Sequence, residues 1–99
     1  MNFTFKKKYG QNFLKHESVS SRIVSLIDAD KDTLVLEIGP GSGALTKYLR
    51  ELECNTLCYE IDRELESALN KYKSDKLDII FDDFMKRDIL NDIGKYNYK

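Results

Sequence analysis

With 99 residues, 41% of them hydrophobic and 33% charged, the chain has room for one domain with a modest core. No stretch approaches the roughly eighteen apolar residues that a membrane-crossing helix needs. The lysine run near the start has no apolar segment behind it, so membrane and secretory readings are set aside in favour of a cytoplasmic one. The net charge of −1 hides an asymmetry: the first sixteen residues hold Lys6, Lys7, Lys8 and Lys15 and no acid, whereas the remainder carries twelve basic and seventeen acidic groups, net −5.

Residues 1–16 therefore read as a basic arm. On charge alone it is either a contact for a phosphate backbone, through Lys6, Lys7 and Lys8, or a solvated terminus. Residues 17–28 carry Val19, Ile23, Leu26 and Ile27 at helical spacing, which predicts an amphipathic helix ended by the turn formers of 28–32. Residues 33–38 are a compact apolar run (Leu34, Val35, Leu36, Ile38), the pattern of a buried parallel strand.

The turn that follows, Glu37-Ile38-Gly39-Pro40-Gly41-Ser42-Gly43, is the most informative segment. Glycines at 39 and 41 let the backbone take conformations closed to other residues and let a ligand approach main-chain N–H groups. Gly39, Gly41 and Ala44 fit the dinucleotide pattern G-x-G-x-x-G/A, which keeps an NAD site open. Glu37, Gly39, Gly41 and Gly43 equally read E-x-G-x-G-x-G, the form typical of S-adenosylmethionine (SAM) methyltransferases. Pro40 removes a backbone donor where a pyrophosphate would want one, a loss that matters less to SAM, which has no phosphate.

Leu45, Tyr48, Leu49 and Leu52 give the next helix one apolar face, and residues 56–59 form a second strand ending at Glu60. An acid about twenty positions after the glycine turn is where such folds bind a ribose hydroxyl. Cys54 and Cys58 form a C-x3-C pair with no second pair and only the distant His16, so they read as reduced thiols, with no metal site and no disulfide. Asp62 is placed to cap a third helix with inner face Leu65, Ala68, Leu69 and Tyr72. After the turn at 74–76, residues 77–81 read as strand three, and a helical segment is expected over 84–90, beyond Asp82 and Asp83.

This alternation is α/β: the first half of a Rossmann-like, doubly wound fold with parallel strands in the order 3-2-1 and flanking helices. Residues 17–99 would then be a partial nucleotide-binding domain, incomplete on the far side of strand one, whose open edge would favour self-association.

Three segments together resemble the ribosomal RNA adenine N6,N6-dimethyltransferases, a family that includes the small-subunit enzymes and the Erm resistance methyltransferases. They are Lys8-Tyr9-Gly10-Gln11-Asn12-Phe13-Leu14, residues 36–46 (L-E-I-G-P-G-S-G-A-L-T), and Tyr59-Glu60-Ile61-Asp62. Gly10 before Gln11 looks more like the small-subunit branch. The resemblance runs over essentially the whole chain, and the pairing of G-Q-N-F-L with G-P-G-S-G-x-L-T is highly specific.

It implies SAM as cofactor and small-subunit ribosomal RNA as partner. Gln11, Asn12 and Leu14 would fold over the cofactor, while Gly39 and Gly41 would pack on its methionine part with Glu37 beneath. Glu60 would accept both ribose hydroxyls, Ile61 would pack on the adenine, and Asp83 would take its amino group with Phe84 beside it. The basic arm then becomes a ribosomal RNA contact.

Two departures are visible. The family usually has Gly-Asp-Ala-Leu where this chain has Asp82-Asp83-Phe84-Met85, which leaves the register of the two acids open. The family's N-[LI]-P-[YF] loop, which holds the target amine, does not occur in these 99 residues, so no catalytic residue is assigned. The expectation is an N-terminal, cofactor-binding part of such an enzyme, inactive towards RNA by itself. Two other readings remain: a non-catalytic RNA-binding or ribosome-assembly remnant, and an NAD-binding half-domain.

Overall fold

The computed structural model describes residues 17–99. In chain order these form α1 (Glu17–Ser25), β1 (Leu34–Ile38), α2 (Thr46–Leu49), β2 (Asn55–Tyr59), α3 (Glu66–Asn70), β3 (Leu77–Ile80) and α4 (Ile89–Ile93). Short 3-10 turns at Arg63–Leu65 and Phe84–Lys86 lead into α3 and α4. The strands make one parallel sheet with β2 in the centre, as the alternating pattern requires. The ladder puts Glu37 opposite Cys58 and Ile38 opposite Tyr59, then Cys58 opposite Ile79.

Side chains alternate across a strand, so this register sorts them by face. Val35, Glu37, Thr56, Cys58, Leu77 and Ile79 share one face. Their apolar members join Val24 of α1, Leu49 of α2 and Leu69 of α3 in the core. Leu36, Ile38, Leu57 and Tyr59 lie on the other face. There α4 reaches Tyr59, whose hydroxyl donates to Asp92 at 3.0 Å.

The structure corrects three local expectations. Strand one is not buried: Leu36 is 38% and Ile38 53% exposed, because no described element covers that end of the second face. Ala68 is exposed, and α3 turns Leu69, with Leu65 and Tyr72 beside it, to the core instead. The segment 84–90 is not one helix. The side chain of Asp83 accepts from the Met85 amide and caps a 3-10 turn, the backbone at Arg87 is extended, and Asp88 caps a separate α4 through the Asn91 amide. Two Asx caps five residues apart interrupt what hydrophobic spacing alone reads as continuous. Among the described residues no helix is long and apolar enough to cross a membrane.

Candidate cofactor site

Each parallel strand ends at the same rim of the sheet, where open α/β folds place their ligands. Glu37 and the glycine turn follow β1, Glu60 and Ile61 follow β2, and Asp82, Asp83 and Phe84 follow β3. The structure therefore brings together seven of the residues expected of a cofactor site: Glu37, Gly39, Gly41, Glu60, Ile61, Asp83 and Phe84. Gln11, Asn12, Leu14 and the lysines at 6–8 lie outside the described residues.

The turn needs its glycines. Gly39, Gly41 and Gly43 all have positive φ, at 74°, 58° and 91°, a region that L side chains rarely adopt. The Gly39 N–H donates to the Tyr59 carbonyl at 2.8 Å, pinning the turn to the end of β2. A Cβ added at Gly39 would meet nothing within 4 Å, so this is space a ligand could enter. Gly43 serves a different purpose, because a Cβ there would collide with Cε2 of Tyr72, so the turn and the α3 side pack in direct contact. Beside the rim, a cavity of about 340 Å³ between α1 and β1 reaches Glu37, Gly39 and Pro40.

Glu60 ties the rim together. It is buried, and its Oε1 accepts from the Gly41 N–H at 2.9 Å while Oε2 accepts from the Asp62 N–H at 3.0 Å. A carboxylate has about four acceptor positions, so the two bonds made among the described residues leave it capacity for further donors. Glu37 sits beneath the turn with its Oε1 accepting from the Thr46 hydroxyl (2.6 Å) and the Cys58 thiol (3.4 Å). Burial pushes the Glu37 carboxyl above the usual range, the two hydrogen bonds pull it back, and nearby Glu60 adds to the rise. Ile61 is 67% exposed, available to an apolar ligand surface.

The two acids after β3 have separate roles. Asp82 accepts from the Asp83 amide (2.8 Å) and from Arg87 (3.2 Å). Asp83 uses Oδ1 on the Met85 amide (3.0 Å). Phe84 meets the Tyr59 ring edge-on, with centroids 5.1 Å apart.

A family model described as ribosomal RNA adenine dimethylase matches residues 2–98. The chain belongs to the ribosomal RNA adenine dimethylase family. The ribosomal RNA small subunit methyltransferase A of Aster yellows witches'-broom phytoplasma is 48% identical over 96 residues, which are 97% of this chain and 35% of that protein. The protein of the same name from Mycoplasma capricolum is 41% identical over 95 residues, 95% of this chain and 36% of the relative. That of Lactococcus lactis is 37% identical over 97 residues, 96% and 33%. The chain thus spans about a third of the length of the curated relatives it matches. A methyltransferase family implies a methyl donor, generally SAM.

Sequence reasoning missed an ion-pair cluster behind this rim. Arg87 forks onto Asp92 with Nη2–Oδ1 at 2.7 Å and Nε–Oδ2 at 3.0 Å, and its Nη1 reaches Asp82. With the Tyr59 hydroxyl on Asp92, the cluster joins β2, the loop after β3, and α4. The Arg87 guanidinium holds the Asp92 carboxyl below the usual carboxylate range, assisted by the Tyr59 hydroxyl. The Asp83 amide and then Arg87 do the same for Asp82. Burial, and then Asp92, push the Tyr59 phenol up to about 12.

Asp92 and Asp82 have depressed native pKa values, so their contribution is present above the unfolded value of about 3.9 and is lost as pH falls through the native values. Glu37, raised in the native state, acts oppositely: its contribution is full below its unfolded pKa and lost as pH rises through the native one. Stability should therefore peak in mildly acidic solution and fall steeply below about pH 4. In urea unfolding across pH, Asp92→Asn should lower stability at neutral pH and flatten the acid limb; an unchanged acid limb would contradict this assignment.

Proposed function

We propose that the chain supplies the SAM-holding part of a ribosomal RNA adenine N6,N6-dimethyltransferase of the small-subunit type. One observation carries the cofactor reading: a turn of three positive-φ glycines is bonded through Gly41 to a buried carboxylate, Glu60, at the end of the neighbouring strand. That combination offers close backbone approach beside a fixed acceptor for hydroxyl groups.

The residues fit the group in size and chemistry. Space at Gly39 admits the amino-acid portion of SAM against the backbone, and Pro40, lacking an N–H, removes a donor that only a phosphate would need. The remaining acceptor positions of Glu60 suit two ribose hydroxyls. Ile61 and Phe84 offer apolar surface to an adenine ring. Asp83 has a second oxygen for the exocyclic amine, whereas Asp82 is committed to Arg87, which favours Asp83 as the reader of that amine. Gln11, Asn12 and Leu14 would close over the cofactor, and Lys6, Lys7 and Lys8 would meet the ribosomal RNA backbone. SAM, when bound, supplies a methyl group on a sulfonium, already a good leaving group for an amine nucleophile.

Calorimetric titration of the 99-residue chain with S-adenosylhomocysteine, with NAD as control, tests the cofactor part. Selective binding of S-adenosylhomocysteine is the expected result. Preference for NAD, or no binding of either ligand by a folded chain, would contradict it.

A further inference from the structure

The Glu37 carboxyl is the meeting point of three elements. Glu37 lies on β1, and Cys58 is its direct partner in the parallel ladder on β2, so the two side chains rise from the same face. Thr46 opens α2 immediately beyond the glycine turn and is fully buried, as is Cys58. Both donors converge on one atom, with Thr46 Oγ1 at 2.6 Å and Cys58 Sγ at 3.4 Å from Glu37 Oε1. Two donors on one oxygen fix the plane of the carboxyl, and among the described residues no hydrogen bond is made to Oε2, the oxygen that could meet a further partner. The cavity that Glu37 shares with Gly39 and Pro40 adjoins it.

Resting on the cofactor reading above, we propose that Thr46, seconded by Cys58, is a positioning residue: it anchors Glu37 Oε1 so that the other oxygen meets a cationic amine on the ligand held by the glycine turn. Thr46 touches no ligand itself; it acts by orienting the carboxyl and favouring its charged form. The titratable neighbours are Cys58, a neutral thiol whose ionisation burial and Glu37 itself push far up, and Glu60, whose negative charge opposes ionisation of Glu37. The Thr46 bond counters that opposition, so removing it should favour the protonated, amine-blind carboxyl. A threonine needed only for packing would show no such linkage.

The test compares wild type, Thr46→Val and Thr46→Ser, by S-adenosylhomocysteine calorimetry across mildly acidic to neutral pH and by NMR titration of the Glu37 carboxyl. Thr46→Val keeps the shape and removes the donor. It should weaken binding about tenfold near neutrality, move the Glu37 titration upward, and displace the pH profile of binding with it. Thr46→Ser should restore all three. Glu37→Gln, which preserves size and removes the charge, should weaken binding similarly and make a further Thr46→Val change silent; it serves even where Thr46→Val fails to fold. Wild-type affinity in folded Thr46→Val or in Glu37→Gln overturns the positioning role alone. Failure of the wild-type chain to bind S-adenosylhomocysteine overturns the proposed function and this role together.

Discussion

Gly43→Ala should cost the fold about 3 kcal/mol or more, combining positive-φ strain with overpacking, whereas Gly39→Ala should cost about 1–2 kcal/mol from strain alone. The two positions share the sign of φ, at 91° and 74°, and differ in what a methyl group would meet. At Gly43 it would collide with Cε2 of Tyr72 and lie 3.1 and 3.2 Å from Cδ2 and Cζ, while at Gly39 nothing stands within 4 Å. Tyr72 is partly buried and packs against the core, contacts that any displacement of its ring would disturb. Against a total stability of about 5–15 kcal/mol, the Gly43 change is severe. Removing the ring with Tyr72→Ala should make Gly43→Ala no worse than Gly39→Ala, a coupling that a double-mutant cycle in urea reads directly. Binding should invert the order for any variant that still folds: Gly39→Ala fills the ligand's space and should lose about tenfold in S-adenosylhomocysteine affinity, equivalent to about 1.4 kcal/mol. Equal destabilisation by the two alanines would contradict the division of labour between the glycines.

Glu60→Gln should reduce S-adenosylhomocysteine affinity by about 100-fold and also destabilise the ligand-free chain by about 2 kcal/mol. The second effect distinguishes this structure from one in which the acid waits for a ribose. Both Glu60 oxygens already accept backbone N–H groups, from Gly41 and from Asp62. A carboxamide has one accepting oxygen, so either orientation of glutamine sets an NH2 group against one of these donors. The residue is only 5% exposed, so water replaces the lost acceptor poorly. The glycine turn and the turn after β2 would then loosen together. Loss of binding with unchanged unfolding would show that the carboxylate serves the ligand without bracing the rim.

The parts legible in the sequence were those whose chemistry is local. A run of Leu34, Val35, Leu36 and Ile38 before a glycine turn, repeated twice as strand after helix, is enough to set a parallel sheet with β2 central. Asp62 as a cap was readable too, although it accepts from the Glu64 amide to cap the 3-10 turn at Arg63–Leu65 and not α3 itself. What escaped depends on contacts between distant residues. The exposure of Leu36 and Ile38 depends on which elements cover each sheet face, which no window around β1 contains. The break at Arg87 follows from an ion pair with Asp92 and from Asp88 acting as a cap, although Asp88 ahead of Ile89, Leu90 and Asn91 was a signal that could have been read. Gly43 stands in the sequence only as a member of the E-x-G-x-G-x-G pattern, and only Tyr72, twenty-nine residues on, reveals its packing role. The bond from Cys58 to Glu37 needs the strand register, which aligning the two strand ends at Ile38 and Tyr59 would have supplied.

The proposed cofactor site unites the glycine turn, Glu60 and the Asp83-Phe84 segment. Amide-resolved NMR titration of the 99-residue chain with S-adenosylhomocysteine tests it most directly. Saturable shifts are expected, concentrated at Gly39, Gly41, Glu60, Ile61, Asp83 and Phe84, with the Gly41 and Asp62 amides reporting the sharing of Glu60. Shifts confined to another surface, such as the outer side of α1, or no shifts in a folded chain, would contradict it.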